Sequence, residues 1–303
     1  MKKVIRIGTR DSELALWQAT KVKTDLEALG HKTELVPVKS QGDIVLDKPL
    51  YEFGITGIFT KTLDIALLMD QIDIAVHSMK DVPTALPSGI VEAAVLKRAN
   101  SQDILIHKGL DFLESEGIIA TGSLRRKAQW LHKYPQHKIA ELRGNVNTRL
   151  QKLQDNDWNG AIFASAGLDR INLKPESYID LNWMVPAPAQ GAMLVVAKEN
   201  DEYSRKALSA LNHQETEICV HVEREFLRTL EGGCTAPIGA LATIEGEKIH
   251  FKGVLFSLDG TQKFEIEKTA PVSKNEFFGQ KCAREILDSG GAALMREIKS
   301  YLN

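Results

Sequence analysis

A unit of short apolar strand, tight turn and amphipathic helix recurs along this chain, and it restricts the fold more than any other feature. The stretch VIRIG reads as a buried strand. Asp11 or Ser12 can cap a helix through ELALWQATKVKTDLEAL, whose apolar positions fall at helical spacing and which Gly30 ends. TELVPV reads as a second strand, TKTLDIALLM as a helix, and DIAVHSM and IVEAAVL as further strands, so about the first hundred residues form an α/β unit. The rhythm restarts with the strand DILIHK, then GIIATG before the helix SLRRKAQWLHKY, KIAEL before NVNTRLQKLQ, and GAIFASAG before a short helix through Ile171. After the turn at Pro186 and Pro188, GAMLVVAKE supplies one more apolar strand, able to cross back into the first sheet. From about residue 214 the pattern changes to a helix through EICVHVEREFLRTL, three strands (IGALATIE, KIHFKGVLFS, QKFEIEKTA) joined by EGE and LDG turns, and a helix from about Asn275. The expected organisation is α/β throughout two lobes, 1–98 with 190–212 and 99–189. A small C-terminal α+β domain over 213–303 carries an antiparallel three-stranded sheet.

Composition narrows the partners. With 303 residues, 43% of them hydrophobic, the chain can bury a core in each domain. Lys and Arg number 38 against 40 Asp and Glu, a formal charge of -2, so an anion site must be local and a general nucleic-acid binder is not expected. Charged residues break the apolar run at MKKVIRIGTR, which reads as neither a secretory signal nor a membrane span. Three cysteines, Cys219, Cys234 and Cys282, lack metal-ligand spacing and suit a reducing compartment. The expectation is a cytoplasmic protein, monomeric and without metal.

Chemistry gathers where strands give way to helices, because helix starts present free N–H groups and partial positive charge. Four such turns carry arginine: GTRDS with Arg10 and Ser12, TGSLRR with Ser123, Arg125 and Arg126, LRGNVNTR with Arg143 and Arg149, and AGLDR with Arg170. Any one of these arginines reads equally as a solvated helix charge. Four at equivalent positions, converging between two lobes, suit a ligand with many carboxylates, which guanidinium groups grip with paired hydrogen bonds. HSMKD puts Lys80 and Asp81 at another strand end. An ionised carboxylate there accepts ligand N–H donors and stabilises a developing cation, or else pairs with a basic neighbour; the residues alone leave both readings open. His77 reads as structural. Cys219 and Cys282 fall on apolar helix faces, whereas Cys234, in LEGGCTAPIGA, follows a helix end with glycines beside it. A helix C-terminus opposes a thiolate, so Cys234 does not read as a protease-like nucleophile.

Taken together and in this order, GTRDSELAL, DIAVHSMKDVP, GSLRR, LRGNVNTRL, AGLDR, PAQGAM, LNHQET and LEGGCTAPIG resemble the porphobilinogen deaminase (hydroxymethylbilane synthase) family over nearly the whole chain. The resemblance implies two lobes similar to type II periplasmic binding proteins and a third domain bearing a cysteine, here Cys234, that holds a dipyrromethane cofactor through a thioether. It implies a transferase of tetrapyrrole and haem biosynthesis. Porphobilinogen loses ammonia, the azafulvene-like cation is attacked by the terminal pyrrole, and four additions precede hydrolysis to hydroxymethylbilane. By the same resemblance Asp81 holds pyrrole N–H groups and stabilises the cation. Arg10, Arg125, Arg126, Arg143, Arg149 and Arg170 bind carboxylates, helped by Lys80, Ser12, Ser123 and Gln190. The chain departs from the family's usual pattern at Thr56, where lysine is common, at Gly122, where serine is common, and in KRANSQD before Asp103. Two other classes fit parts of the chain: an exported carboxylate-binding protein would account for the arginines without Cys234, and a cysteine acyltransferase for Cys234 without an activating site.

Overall fold

The computed structural model describes residues 3–38, 60–231 and 236–302, which fall into two compact units. The first holds 3–38, 60–99 and 191–217; the second holds 100–190, 218–231 and 236–302.

In the first unit, β1 (Val4–Thr9) leads into α1 (Glu13–Ala28) and β2 (Lys32–Pro37). Ser12 occupies the N-cap of α1 with an extended backbone and no side-chain cap bond. At the other end Gly30 takes φ 81°, and the Gly30 and His31 amides donate to the carbonyls of Glu27 and Leu26, a left-handed helix stop that glycine makes without steric cost. Then come α2 (Lys61–Leu68), β3 (Ile74–Ser78) and β4 (Ile90–Val95). The last strand, β10 (Met193–Lys198), arrives from far along the chain and lies antiparallel between β3 and β4, giving the order β2-β1-β3-β10-β4. The return of this apolar segment to the first sheet is thus observed. Ile5, Ile7, Val22, Leu26, Ile74, Val76 and Val195 form the core beneath α1. A short helix that the sequence reading passed over, α6 (Glu202–Ser209), starts at Asp201, whose carboxylate accepts from the Ser204 amide.

The second unit repeats the plan. Its sheet runs β7 (Lys138–Ala140), β6 (Ile118–Ala120), β8 (Gly160–Ala164), β5 (Asp103–His107), β9 (Tyr178–Asp180), with β6 parallel to β7 and β8, and β5 antiparallel to both its neighbours. Helices α3 (Leu124–Lys133), α4 (Val146–Asp155) and α5 (Ser165–Arg170) follow β6, β7 and β8. Leu142, Leu153, Phe163 and Leu168 fill one face of this sheet; Leu105, Ile119, Trp130 and Ile162 fill the other. Trp130 anchors α3: its indole N–H donates to His137 Nδ1 (3.1 Å), and His137 Nε2 donates to the carbonyls of Phe112 and Ser115.

The same unit includes α7 (Gln214–Thr229) from Ile218 onward, the antiparallel sheet β11 (Ile238–Glu245), β12 (Lys248–Phe256), β13 (Lys263–Pro271), and α8 (Phe278–Ile286) and α9 (Ala292–Leu302). The sequence reads one C-terminal helix; the structure breaks it at Gly290, whose φ of 119° departs from helix. Phe226, Phe251, Phe278, Cys282 and Ile298 build the core between helices and sheet. This sheet is fastened to the lobe that precedes it. Val254 and Phe256 pack on Ala128 and Val185, the Ala240 amide donates to Pro186 O (2.9 Å), and His132 Nδ1 donates to Gly260 O (2.7 Å). Glu223, fully buried, accepts from the amides of Ala189 (2.6 Å) and Ala242 (2.7 Å). Among the described residues no helix is long and apolar enough to cross a membrane, and no cluster of three or more His, Cys, Asp or Glu is placed to hold a metal.

Candidate functional site

In the first unit the chemistry lies at the ends of β1 and β3. Thr9 is buried and its hydroxyl donates to Ala15 O (2.9 Å), which folds the turn carrying Arg10 and Ser12 against the first turn of α1. Gln18, also buried, donates to Ser78 Oγ (2.9 Å) and so joins α1 to the end of β3. There the chain makes a single tight helical turn, Met79–Asp81, with Met79 buried and Lys80 and Asp81 half-buried beyond it. Burial, with the positive charge of Arg10 behind it, pushes the His77 imidazole down to about 4, so this side chain stays neutral and structural.

The second unit shows what the arginines of TGSLRR touch. Ser123 caps α3, its hydroxyl accepting from the Arg126 amide (3.4 Å). Both arginines turn inward onto Asp103, which opens β5 and has no exposed surface. Arg125 Nη1 donates to Asp103 Oδ2 (2.6 Å) and to Val185 O (2.9 Å). Arg126 Nε and Nη2 donate to Asp103 Oδ1 (3.0 and 2.8 Å) and its Nη1 to Ile162 O (2.9 Å). Gln190 Nε2 adds bonds to Asp103 Oδ1 (2.9 Å) and Ser101 O (2.8 Å). Burial alone would raise the Asp103 carboxyl, but the charges of Arg125 and Arg126 and the hydrogen bonds to it win and hold it well below the usual carboxylate range. The sequence reads Arg125, Arg126 and Gln190 as ligand-binding; here Arg125 Nη1, Arg126 Nε and Nη2 and Gln190 Nε2 bond a buried internal carboxylate, while Arg125 Nε is buried without a hydrogen-bond partner. The only local signal of that carboxylate was an acidic residue at the start of a wholly apolar strand, DILIH.

Arg143 also keeps an unmet donor. It follows the buried Leu142 in the β7–α4 loop, is 7% exposed, and its Nη1 is buried without a hydrogen-bond partner. Burial depresses its guanidinium, partly offset by Glu141. An unmet donor on a cation in such a recess is a standing demand for an acceptor. The loop continues through Gly144 (φ 115°) to Asn145, which caps α4 by accepting from the Thr148 amide (2.9 Å), and Arg149 Nε donates to Gly144 O (2.7 Å). Arg170 closes α5, and burial brings its guanidinium down to about 10. Cys234 and Thr56 lie outside the described residues. Cys219 and Cys282 are buried core residues as read, and burial, with Glu285 nearby, pushes the Cys282 thiol up to about 12.

The described chain thus has two α/β lobes with arginine at or beside helix starts and a C-terminal α+β sheet fastened to the second lobe. The chain belongs to the porphobilinogen deaminase family: the family's dipyrromethane cofactor binding domain matches residues 5–206 and its C-terminal domain matches residues 217–288. Porphobilinogen deaminase of Syntrophomonas wolfei is 39% identical over 302 residues, covering 97% of this chain and 99% of that one. The Desulfitobacterium hafniense protein of the same name is 41% identical over 305 residues, covering 98% of each. Among solved structures, an ABC transporter protein from Parabacteroides distasonis aligns with a TM-score of 0.43 at 13% identity, covering 68% of this chain and 70% of that one.

Proposed function

We propose that this chain is a transferase that deaminates four porphobilinogen molecules, joins them head to tail on a covalently held dipyrromethane, and releases hydroxymethylbilane by hydrolysis. The observation that carries the reading is the Arg143 guanidinium, a buried cation with an unfilled donor in a lobe whose helix starts are rich in positive charge. The pyrroles of this chemistry bear acetate and propionate groups, which are the acceptors such a donor requires.

The dipyrromethane, when bound, supplies the free pyrrole carbon to which each new unit is added. Cys234 is the residue that holds it. In the first unit Arg10, Ser12 and Lys80 take ligand carboxylates. Asp81, at its strand end, accepts from pyrrole N–H groups and offers a fixed negative charge where cationic character develops as ammonia leaves the substrate. In the second unit Arg143, Arg149 and Arg170 take carboxylates. Arg125 and Arg126 contribute through net charge, since two guanidinium groups against the single carboxylate of Asp103 leave the start of α3 positive, with Ser123 and Gln190 holding that turn in shape. The fit is one of donor chemistry: no metal or nucleotide is called for. We read the chain as a cytoplasmic monomer, in keeping with cysteines suited to a reducing compartment.

The deciding measurement is the intact mass of purified protein. Wild type should exceed its sequence mass by two pyrrole units. The excess should vanish in Cys234→Ser and persist in Cys219→Ser and Cys282→Ser, and an adduct on either buried cysteine would refute the attachment site.

A further inference from the structure

Two of the arginine-bearing turns of the second unit, TGSLRR and LRGNVNTR, approach each other closely at Gly122. Gly122 lies between the end of β6 and the Ser123 cap of α3, and Leu142 lies just before Arg143 in the neighbouring loop. A Cβ on residue 122 would sit 2.6 Å from Leu142 O and 3.6 Å from Arg143 Cδ. An ordinary C–H···O contact needs about 3.3 Å, so a side chain here must drive the Leu142 carbonyl away by roughly 0.7 Å. Glycine is required for this approach and not for backbone angle, because Gly122 is absent from the positive-φ glycines. The loop has little freedom to give elsewhere. Thr121 N is bonded to Ala140 O (2.9 Å) on one side, Leu142 is locked in the core, and the Asn145 cap fixes the far end.

We propose that Gly122 is a positioning residue: its bare Cα lets the Leu142–Arg143 backbone settle against the start of α3, and this sets the depth at which the Arg143 guanidinium meets a ligand carboxylate. The inference rests on the assignment of Arg143 to ligand binding made above. Charge-assisted contacts are steep in distance and angle, and a misplacement near 1 Å at a positioning group costs up to about a hundredfold in rate. A methyl or hydroxymethyl group at 122 therefore acts on the reaction through Arg143.

The test is a double-mutant cycle of Gly122→Ser and Gly122→Ala, each combined with Arg143→Ala, with two readouts. The first is kcat and KM for porphobilinogen. In the Arg143 background each 122 substitution should lower kcat/KM about tenfold or more, and in the Arg143→Ala background by less than twofold. The second needs no turnover: phenylglyoxal labelling followed by peptide mass mapping should show Arg143 reacting several-fold faster in Gly122→Ser, while Arg125 and Arg126 keep their slow rates. Equal losses of kcat/KM in both backgrounds, or unchanged Arg143 labelling, would overturn the proposal and leave Gly122 a packing residue. Should the serine variant fail to fold, the smaller alanine carries the same comparison. Full activity in Arg143→Ala alone would instead overturn the assignment of Arg143, and the proposal with it.

Discussion

Replacing Asp103 with asparagine removes the carboxylate that, among the described residues, pairs with two buried guanidinium groups. The side chain keeps its size, but its amide N–H₂ now faces N–H donors of Arg125 or Arg126, where the carboxylate accepted four bonds, from Arg125 Nη1, Arg126 Nε, Arg126 Nη2 and Gln190 Nε2. Breaking one partner out of a buried ion pair costs about 3–5 kcal/mol, and total stability is about 5–15 kcal/mol, so about a fifth or more of it is at stake. At roughly 2–4 °C per kcal/mol for a chain of this size, calorimetry should show a drop on the order of 10 °C for the transition of the second unit. The pH dependence identifies the cause. Because the folded-state pKa of Asp103 is depressed, its contribution is complete above the unfolded-state value of about 3.9 and is lost only as pH falls below that. The difference between wild type and Asp103→Asn should therefore be constant from pH 5 to 8 and shrink only in stronger acid. The same cluster predicts that removing Arg125 and Arg126 together costs stability: the double alanine variant leaves the Asp103 charge buried and unpaired and should unfold before wild type. Asp103→Asn within 1 kcal/mol of wild type at pH 7, or a double variant of normal stability that lacks only the bound pyrroles, would refute the reasoning.

Asp81→Asn should reduce the chemical step by about a hundredfold or more with substrate affinity and folding retained, and Asp81→Glu should keep more activity than Asn, as followed by pre-steady-state ammonia release; a fast Asn variant beside a dead Glu variant would make Asp81 steric rather than electrostatic. His77, neutral in the folded protein and titrating near 4, should draw stability down as pH falls from its unfolded value of 6.5 toward 4, by on the order of 3 kcal/mol. Urea unfolding across that range should show the slope in wild type and a flatter curve in His77→Gln, and equal slopes would place the effect elsewhere.

The layers were legible because their signal is local. Apolar strands of five or six residues and helices opened by Ser123 or Asn145 announce themselves within a dozen positions, and even the long return of β10 shows as an apolar run after Pro188. What escaped was short or distant. β9 is a three-residue edge strand, and α6 spans two turns with mixed composition. The Asp103 cluster joins residues 22, 23 and 87 positions apart, and no window over the sequence holds all its members. A pair of arginines at a helix start looks the same in sequence whether it faces a ligand or an internal carboxylate, and only the position of Asp103 decides between them. Gly122 shows the converse: its departure from the family pattern is visible in sequence, while its close approach to the Leu142 carbonyl is not.

Glu223 bears on how such a chain can be rearranged over evolutionary time. One carboxylate on α7 accepts from the amide of Ala189, in the segment leading out of the second lobe, and from that of Ala242, in the C-terminal sheet. Recombination that swapped the C-terminal region as a cassette would have to bring its own acceptor for Ala189, whose backbone is held at φ 62°. A transplanted helix with an apolar residue at this position would strand two buried N–H groups at once. The seam thus makes the C-terminal region a poor currency for domain shuffling, and ties its inheritance to that of the lobe it is fastened to.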